Sequence, residues 1–463
     1  MSAPRYDAIV LGAGMSGLSA AIRLAQFDRR VLLVERHSLP GGLNSWYKRA
    51  GRRFDTGLHA LTNYVPRGTS GTPLAKILRQ LRIPYEALQL APQRRSEVVF
   101  PAERLSFSND IGLLESEVAR AFPASREGFA RLIECVRSAN PFDAQAPFAS
   151  ARARLLEFTL DPELVEMLLL PLLWYGSALA EDLAWDDFVI LFRSLYLEGF
   201  ARPEGGVKTL LDLLVARAKE SGAQLRMNCP VRRIVVEGGA ARGIELESGE
   251  TLACDQVYSS AGWVETRALA GAPAPQEDRG WVTIFETLCV TRTPHRARGH
   301  DAAITFFSQV ERPRWREPAE LVGFESGVLC CSDNYQTREE PAEGLLRATL
   351  LANHDRWSEL PEQEYAAHKR AAAASLEELS ARFVPDPRPQ TLFRDGFTPR
   401  TIRRYTAHAG GAVYGSPLRH RDGLSGIANL FLVGNDQGLV GVIGTLLSGI
   451  TMANLHGLYA QHT

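Results

Sequence analysis

Two glycine-rich stretches lie at opposite ends of the sequence, GAGMSG at residues 12–17 and VGNDQGLVGVIGTLLSG at residues 433–449. In the first, Gly12 suits a tight turn, Gly14 lets backbone approach a pyrophosphate, and Gly17 lets a following helix press on a sheet. Such a helix, with Ser16 in its first turn, offers free amides and a positive dipole end to phosphate oxygens. Glu35 stands where a carboxylate accepts hydrogen bonds from a ribose, and Arg36 follows it. This is dinucleotide chemistry, and the fingerprint alone does not separate NAD from FAD.

A second glycine pair, Gly41-Gly42, comes just after that carboxylate in GGLNSWYKRAGRRFDTGLH. It points to another close backbone approach to an extended ligand, and FAD is long enough to need one. The contacts expected here are Gly41, Gly42, Leu43, Gly57, Leu58 and His59. The plainer alternative is a glycine turn followed by a helix cap at Asp55. Further along, Val231 is placed beside an adenine through its backbone, and Gly262 marks another close approach. At the tail, NLFLVGNDQG reads as a buried strand ending at Gly434, Asn435 and Asp436, whose side chains suit ribityl hydroxyls. Helix amides from Gly441, Val442 and Ile443 would then face the electron-poor edge of a flavin. One long cofactor gripped at both ends accounts for both glycine-rich stretches.

The elements that must position these residues follow from periodicity. Apolar runs at 8–11 and 31–34 are of buried parallel-strand type, with a helix at 18–27 between them. Leu210, Leu211, Leu214 and Ala218 make one helix stripe ended by Gly222, and strands follow at 225–227, 231–236, 244–246 and 252–258 with a hairpin turn at Gly238-Gly239. Residues 108–200 are mostly helical, and WVTIFETLCV and GVLCCSDN read as strands before an alanine-rich helix at 362–383 that stops short of Pro385. Gly441, Thr445, Gly449 and Ala453 recur every fourth position, so that one helix face can press on a sheet or cofactor; the same spacing also fits a membrane dimer helix.

With 463 residues, the chain holds roughly two or three structural units. A net charge of −1 gives no bulk attraction to nucleic acid. The six cysteines form no CxxC pair, and the neighbours Cys330 and Cys331 would point to opposite faces of a strand. No secretory pattern is visible, so a reducing, cytoplasmic setting is expected, with peripheral membrane contact as an addition. No Asp, Glu, Lys or Arg follows Asp436, a length that could cross a bilayer, but the glycines and the preceding strand favour burial. MLLLPLLWYGSALA at 167–180 is too short to span and could touch a membrane from one side. RPRWRE at 312–317 reads as an interfacial contact or a solvated loop.

The segments GAGMSGLSAA, VERH, FDTGLH and PEGG and the C-terminal block occur in the order found in flavoproteins of the phytoene desaturase family, within the wider amine oxidase-like superfamily, which the chain resembles. TPRTIRRYTAHAGGAVYGSP at 398–417 and VGND followed by GVIGTLLSG are more similar to the retinol saturase and carotenoid isomerase branch than to amine oxidases. Leu43 stands where the family often has arginine, and Asn435 where many members carry aspartate.

The resemblance implies an α/β architecture: a Rossmann-like FAD-binding domain (1–90, 201–272, 395–463), a discontinuous mixed α+β substrate domain (91–107, 273–394) and a helical cap or membrane-facing lid (108–200). It further implies hydride transfer between flavin and a long apolar isoprenoid or polyene, as desaturation, saturation or cis–trans isomerisation, in an apolar tunnel. His59 and Tyr414 are the candidates for moving a proton, with Tyr405 and His408 behind them; His59 could equally be structural. No second dinucleotide fingerprint appears, so reoxidation by oxygen, a quinone or another acceptor, or a redox-neutral cycle, is expected. The rival readings are an amine or amino-acid oxidase and a non-catalytic prenyl-binding carrier of the same fold.

Overall fold

The computed structural model describes residues 5–141 and 148–459. The extreme ends of the expected cofactor domain, 1–4 and 460–463, and residues 142–147 of the expected cap lie outside the described residues.

The unbroken apolar runs become the centre of a seven-stranded sheet, because only strands covered on both faces can be apolar throughout. Tyr6–Leu11 lies between Val31–Val34 and Thr251–Ser259, parallel to both. Gln224–Arg226 extends the sheet beyond Val31–Val34, and Leu430–Leu432 joins parallel to Thr251–Ser259. The hairpin Val231–Glu237 and Ala240–Leu246 pairs antiparallel with the start of Thr251–Ser259.

Three helices pack on one face of this sheet, while the hairpin strands help cover the other through Ile234 and Ile244. Met15–Ala25 is buried along almost its whole length, since Val207–Glu220 and Gly441–Met452 pack around it. Val207–Glu220 buries the expected stripe of Leu210, Leu211, Leu214 and Ala218. The small face of Gly441–Met452 is divided: Gly449 presses on the helix Met15–Ala25, while Gly441 and Thr445 line a cavity. A Cβ at Gly449 would fall well under 3.0 Å from the Ser16 carbonyl, and Ser19 Oγ donates to Leu446 O at 2.9 Å across the same contact. The stretch Gly441–Tyr459, 19 residues with mean hydropathy 1.2, is long and apolar enough to cross a membrane by length and composition, and half of it is buried inside the protein.

A second seven-stranded sheet runs in the order Thr391–Phe397, Thr283–Thr291, Gly344–Ala352, Val322–Cys331, Ala302–Ser308, Arg95–Val99, Arg104–Phe107. It is antiparallel except where Ala302–Ser308 meets Arg95–Val99. Thr391–Phe397 straddles residue 394, so a domain boundary there would cut a strand. One face packs on the alanine-rich helix Glu362–Ser380 through Phe285, Leu329 and Cys331; the other meets the cap through Val282, Val328 and Cys330. The vicinal cysteines therefore do point apart.

The cap contains the helices Ile111–Ala121, Arg126–Ser138, Ala151–Leu156, Pro162–Gly176 and Trp185–Phe192. One surface expectation is corrected here. The leucine run from Met167 to Leu173 is wholly buried in the cap core, which removes it from any membrane face. RPRWRE is a loop whose Arg312, Arg314 and Arg316 are solvent-exposed and pair with Glu166, Glu325 and Glu181, as the solvated-loop alternative expects. Trp315 is buried and donates from Nε1 to Ser177 O at 3.3 Å, which excludes it from an interfacial contact.

Candidate functional site

A cavity of about 1110 Å³ runs from the glycine turn to the cap-facing side of the second sheet, lined from both sheets, the tail and the cap. At the turn, Gly12 has φ +93°, and a Cβ there would overlap Ser260 Oγ. The following helix starts at Gly14 with no side-chain cap, so its first amides are left for another partner. A Cβ on Gly14 would meet nothing within 4 Å, although Gly14 lines the cavity. That open place above an uncapped helix start fits a pyrophosphate.

The double glycine closes against this turn. Gly41 donates its N–H to Ala13 O at 2.8 Å, and a Cβ on Gly42 would lie 3.6 Å from Gly14 Cα. Leu43 and Gly57 line the same wall. Glu35 accepts from Ala13 N at 2.7 Å and His37 N at 2.8 Å, one bond on each oxygen, which braces the turn and leaves each oxygen a further lone pair. Arg36, Val231 and Gly262 line the cavity beside it.

At the tail, Gly434 has φ +114° and donates its N–H to Ser448 Oγ at 2.7 Å. Asn435 Nδ2 donates to Val413 O at 3.0 Å. Buried Asp436 accepts the Ser416 N–H at 2.6 Å and the Trp263 N–H, tying the segment after Gly262 to the loop after Tyr414. Its carboxylate is thus a brace as well as a cavity wall. Helix Gly441–Met452 also begins without a side-chain cap, with Ser16, Gly441 and Val442 on the cavity.

Gly17 keeps the packing role expected of it: it lies outside the lining, and a Cβ there would overlap Gly12 O. Two expectations are corrected, those for Leu58 and Tyr414. Leu58 is buried, and its carbonyl accepts from Arg202 and Arg347. The Ile443 side chain faces the apolar contact with Leu78, Leu210 and Leu446 on the core side of the tail helix, so only its backbone amide in the uncapped first turn is left for a cofactor. Tyr414 lines the cavity, but its hydroxyl donates to Trp174 O and burial raises its pKa far above the usual phenol range, so it anchors the cap rather than moving a proton. Tyr405 is exposed, edge-on to His37, and His408 Nδ1 stands 3.9 Å from Glu265.

His59 differs from these, since it reaches the far end of the cavity and meets Glu286 there, Nε2 to Oε2 at 3.1 Å. Glu286, Thr349 and Arg347 are the functional candidates that the sequence reading missed. Arg347 and Glu286 each expose 1% of their side chains and are bonded at 2.6 Å. Burial works to raise the Glu286 pKa, but the Arg347 charge and the His59 bond outweigh it and hold it below the usual carboxylate range. Around this group the wall is apolar: Val282, Ile284, Val328, Trp174, Tyr175 and Val413.

A glycine turn at the end of a central parallel strand, followed by an uncapped helix, defines a dinucleotide-binding scaffold. The chain belongs to the family of flavin-containing amine oxidoreductases, whose profile matches residues 15–455, and the earlier resemblance holds. Prolycopene isomerase of Arabidopsis thaliana is 23% identical over 495 residues, covering 97% of this chain and 82% of that one. Phytoene desaturase of Cercospora nicotianae is 25% identical over 293 residues, covering 56% and 45%. Among solved structures, an oxidoreductase from Methanosarcina mazei superposes with a TM-score of 0.68 at 18% identity, covering 96% of this chain and 99% of that one. Putrescine oxidase bound to putrescine gives 0.62 at 16% identity, covering 97% and 98%. Both structures share the fold.

Proposed function

We propose that the protein binds FAD along the glycine turn, the double glycine and the tail helix, and acts on carbon–carbon bonds of a long apolar isoprenoid or polyene. The observation that carries this reading is the continuity of the cavity, from the phosphate-suited cradle at Gly14 to an apolar wall with one acid–base group. The relatives named for prolycopene isomerisation and phytoene desaturation support the same substrate class.

In this reading Gly12, Gly14 and Ser16 hold the pyrophosphate, Glu35, Arg36 and Val231 the adenosine, and Gly434, Asn435 and Gly441 the ribityl and ring. FAD supplies a hydride acceptor or donor when bound. The chain's part is to exclude water with the cap and align an apolar chain that offers few hydrogen-bonding atoms. Both act through positioning. His59 handles the proton. The expected cofactor domain then takes the segments around residues 5–90, 201–272 and 398–459, with Thr391–Phe397 left to the substrate sheet.

The test is an absorption spectrum of the purified protein, then anaerobic incubation with carotenoid precursors. A flavin spectrum that bleaches as a desaturated product forms supports desaturation, and a changed cis–trans ratio without net bleaching supports isomerisation. A colourless protein with no affinity for FAD, or turnover of amines with peroxide release and none of polyenes, overturns the proposal.

A further inference from the structure

The far end of the cavity holds a charge network built by sheet register. Glu286 and Thr349 are direct partners on antiparallel strands, and Arg347 lies two residues from Thr349, on the same face. Arg347 donates to Glu286 Oε1 from Nε at 3.1 Å and Nη2 at 2.6 Å. Oε2 is left to accept from Thr349 Oγ1 at 2.9 Å and to face His59 Nε2 at 3.1 Å. An ionised carboxylate only accepts hydrogen bonds, so Nε2 carries the imidazole proton and Nδ1 the lone pair. Nδ1 has no hydrogen-bond partner among the described residues, and the His59 side chain, 18% exposed, lines the cavity. The backbone beneath it is fixed as well: Arg347 Nη1 donates to Leu58 O at 2.9 Å, and Tyr335 OH to His59 O at 3.3 Å.

We infer that His59 exchanges the substrate proton through Nδ1, and that Glu286, held by Arg347 and Thr349, is the positioning residue that fixes its tautomer. This deepens the polyene reading and rests on it. In desaturation one substrate carbon gives its proton to Nδ1 and the electron pair of that C–H bond becomes the new π bond, while the flavin, when bound, would supply the acceptor for the hydride lost from the adjacent carbon. Saturation is the reverse. Burial and then the Arg347 charge pull the His59 pKa below the usual imidazole value, Glu286 opposes them, and Arg202 adds to the lowering. The Cys330 thiol and Tyr335 hydroxyl are the other titratable groups packed behind the same segment, and burial keeps both neutral at pH 7. The ring is therefore an uncharged base at neutral pH.

The test is nitrogen-15 NMR of histidine-labelled full-length protein, with and without flavin, which assigns the proton to Nδ1 or Nε2. The wild type should show the Nε2–H tautomer, titrating below about 6.5. Glu286→Gln should give mixed tautomers, lower kcat about 100-fold, leave KM for a polyene within about twofold, and move the acidic limb of the kcat profile to lower pH. A merely structural role would not shift that limb. An Nδ1–H tautomer in the wild type, or Glu286→Gln with unchanged kcat and limb, overturns the inference. Absent polyene turnover in the wild type would instead strike the functional reading, because the tautomer is measured without substrate.

Discussion

Replacing Gly14 separates what holds the fold from what holds the cofactor. Its backbone, φ −70° and ψ 175°, suits any residue, and a Cβ there would meet nothing within 4 Å. Gly14→Ala should therefore leave the apoprotein's stability nearly unchanged. Losing glycine at a helix start costs at most about 1 kcal/mol, and a stiffer unfolded chain returns roughly 0.4–1 kcal/mol. Gly14→Val fills the space meant for a phosphate, and an overpacking cost of about 1–3 kcal/mol then falls on the bound state alone. That corresponds to flavin binding weakened about 5- to 150-fold. Gly17→Ala is the contrast: its Cβ would fall well under 3.0 Å from Gly12 O, so the strain of about 1–3 kcal/mol falls on the fold itself. Urea unfolding of the apoprotein and quenching of flavin fluorescence on titration read the two effects separately. Wild-type flavin affinity in Gly14→Val, or equal loss of fold stability in Gly14→Val and Gly17→Ala, would refute the assignment.

Arg347→Met should destabilise the protein by about 3–5 kcal/mol in denaturant unfolding, since Glu286 is left buried without a counter-charge, and adding Glu286→Gln should recover part of the loss. Cys229 lines the cavity near Val231, so saturating FAD should slow its alkylation, while partly exposed Cys135 should react at the same rate with and without FAD. Unprotected Cys229 would remove the adenosine from that end. Asp333 is held below the usual carboxylate range: burial works against this, but bonds from the His295 ring and from the N–H groups of His295 and Leu345 outweigh it. Its contribution is present above about pH 4 and lost as pH falls through the lowered folded value. Asp333→Asn should flatten the dependence of unfolding free energy on pH below about 4, and an unchanged slope would count against the pairing.

The cofactor sheet was largely legible because its evidence is local. Glycines at fixed offsets and fully apolar runs name the turn, the strands beside it and the helix after it without knowledge of anything distant. The residue misplaced within it, Leu58, shows the limit of that reading: local pattern says which residues lie near a turn, not which of them a neighbouring element covers. Tyr414 fails similarly, since its partner is a carbonyl on a cap helix far away in sequence. The acid–base group was illegible for a different reason. Glu286, Arg347 and Thr349 meet through strand register, and His59 arrives from the loop that follows the separate two-stranded hairpin of Trp46–Arg49 and Arg52–Asp55. A signal did exist, however. WVTIFETLCV contains one acid and GLLRATLLA one base, and lone charges in buried strands require each other.

The contact between Gly449 and Ser16 carries a consequence for biogenesis. During vectorial synthesis the amino-terminal turn leaves the ribosome long before the segment that seals it, so the nascent chain presents a half-built, weakly retaining cleft throughout translation. Coloured, cofactor-loaded protein should appear only after chain release, and any premature stop upstream of Gly434 should yield a product unable to keep its prosthetic group. Flavin supply would then govern how much newly released polypeptide survives quality control.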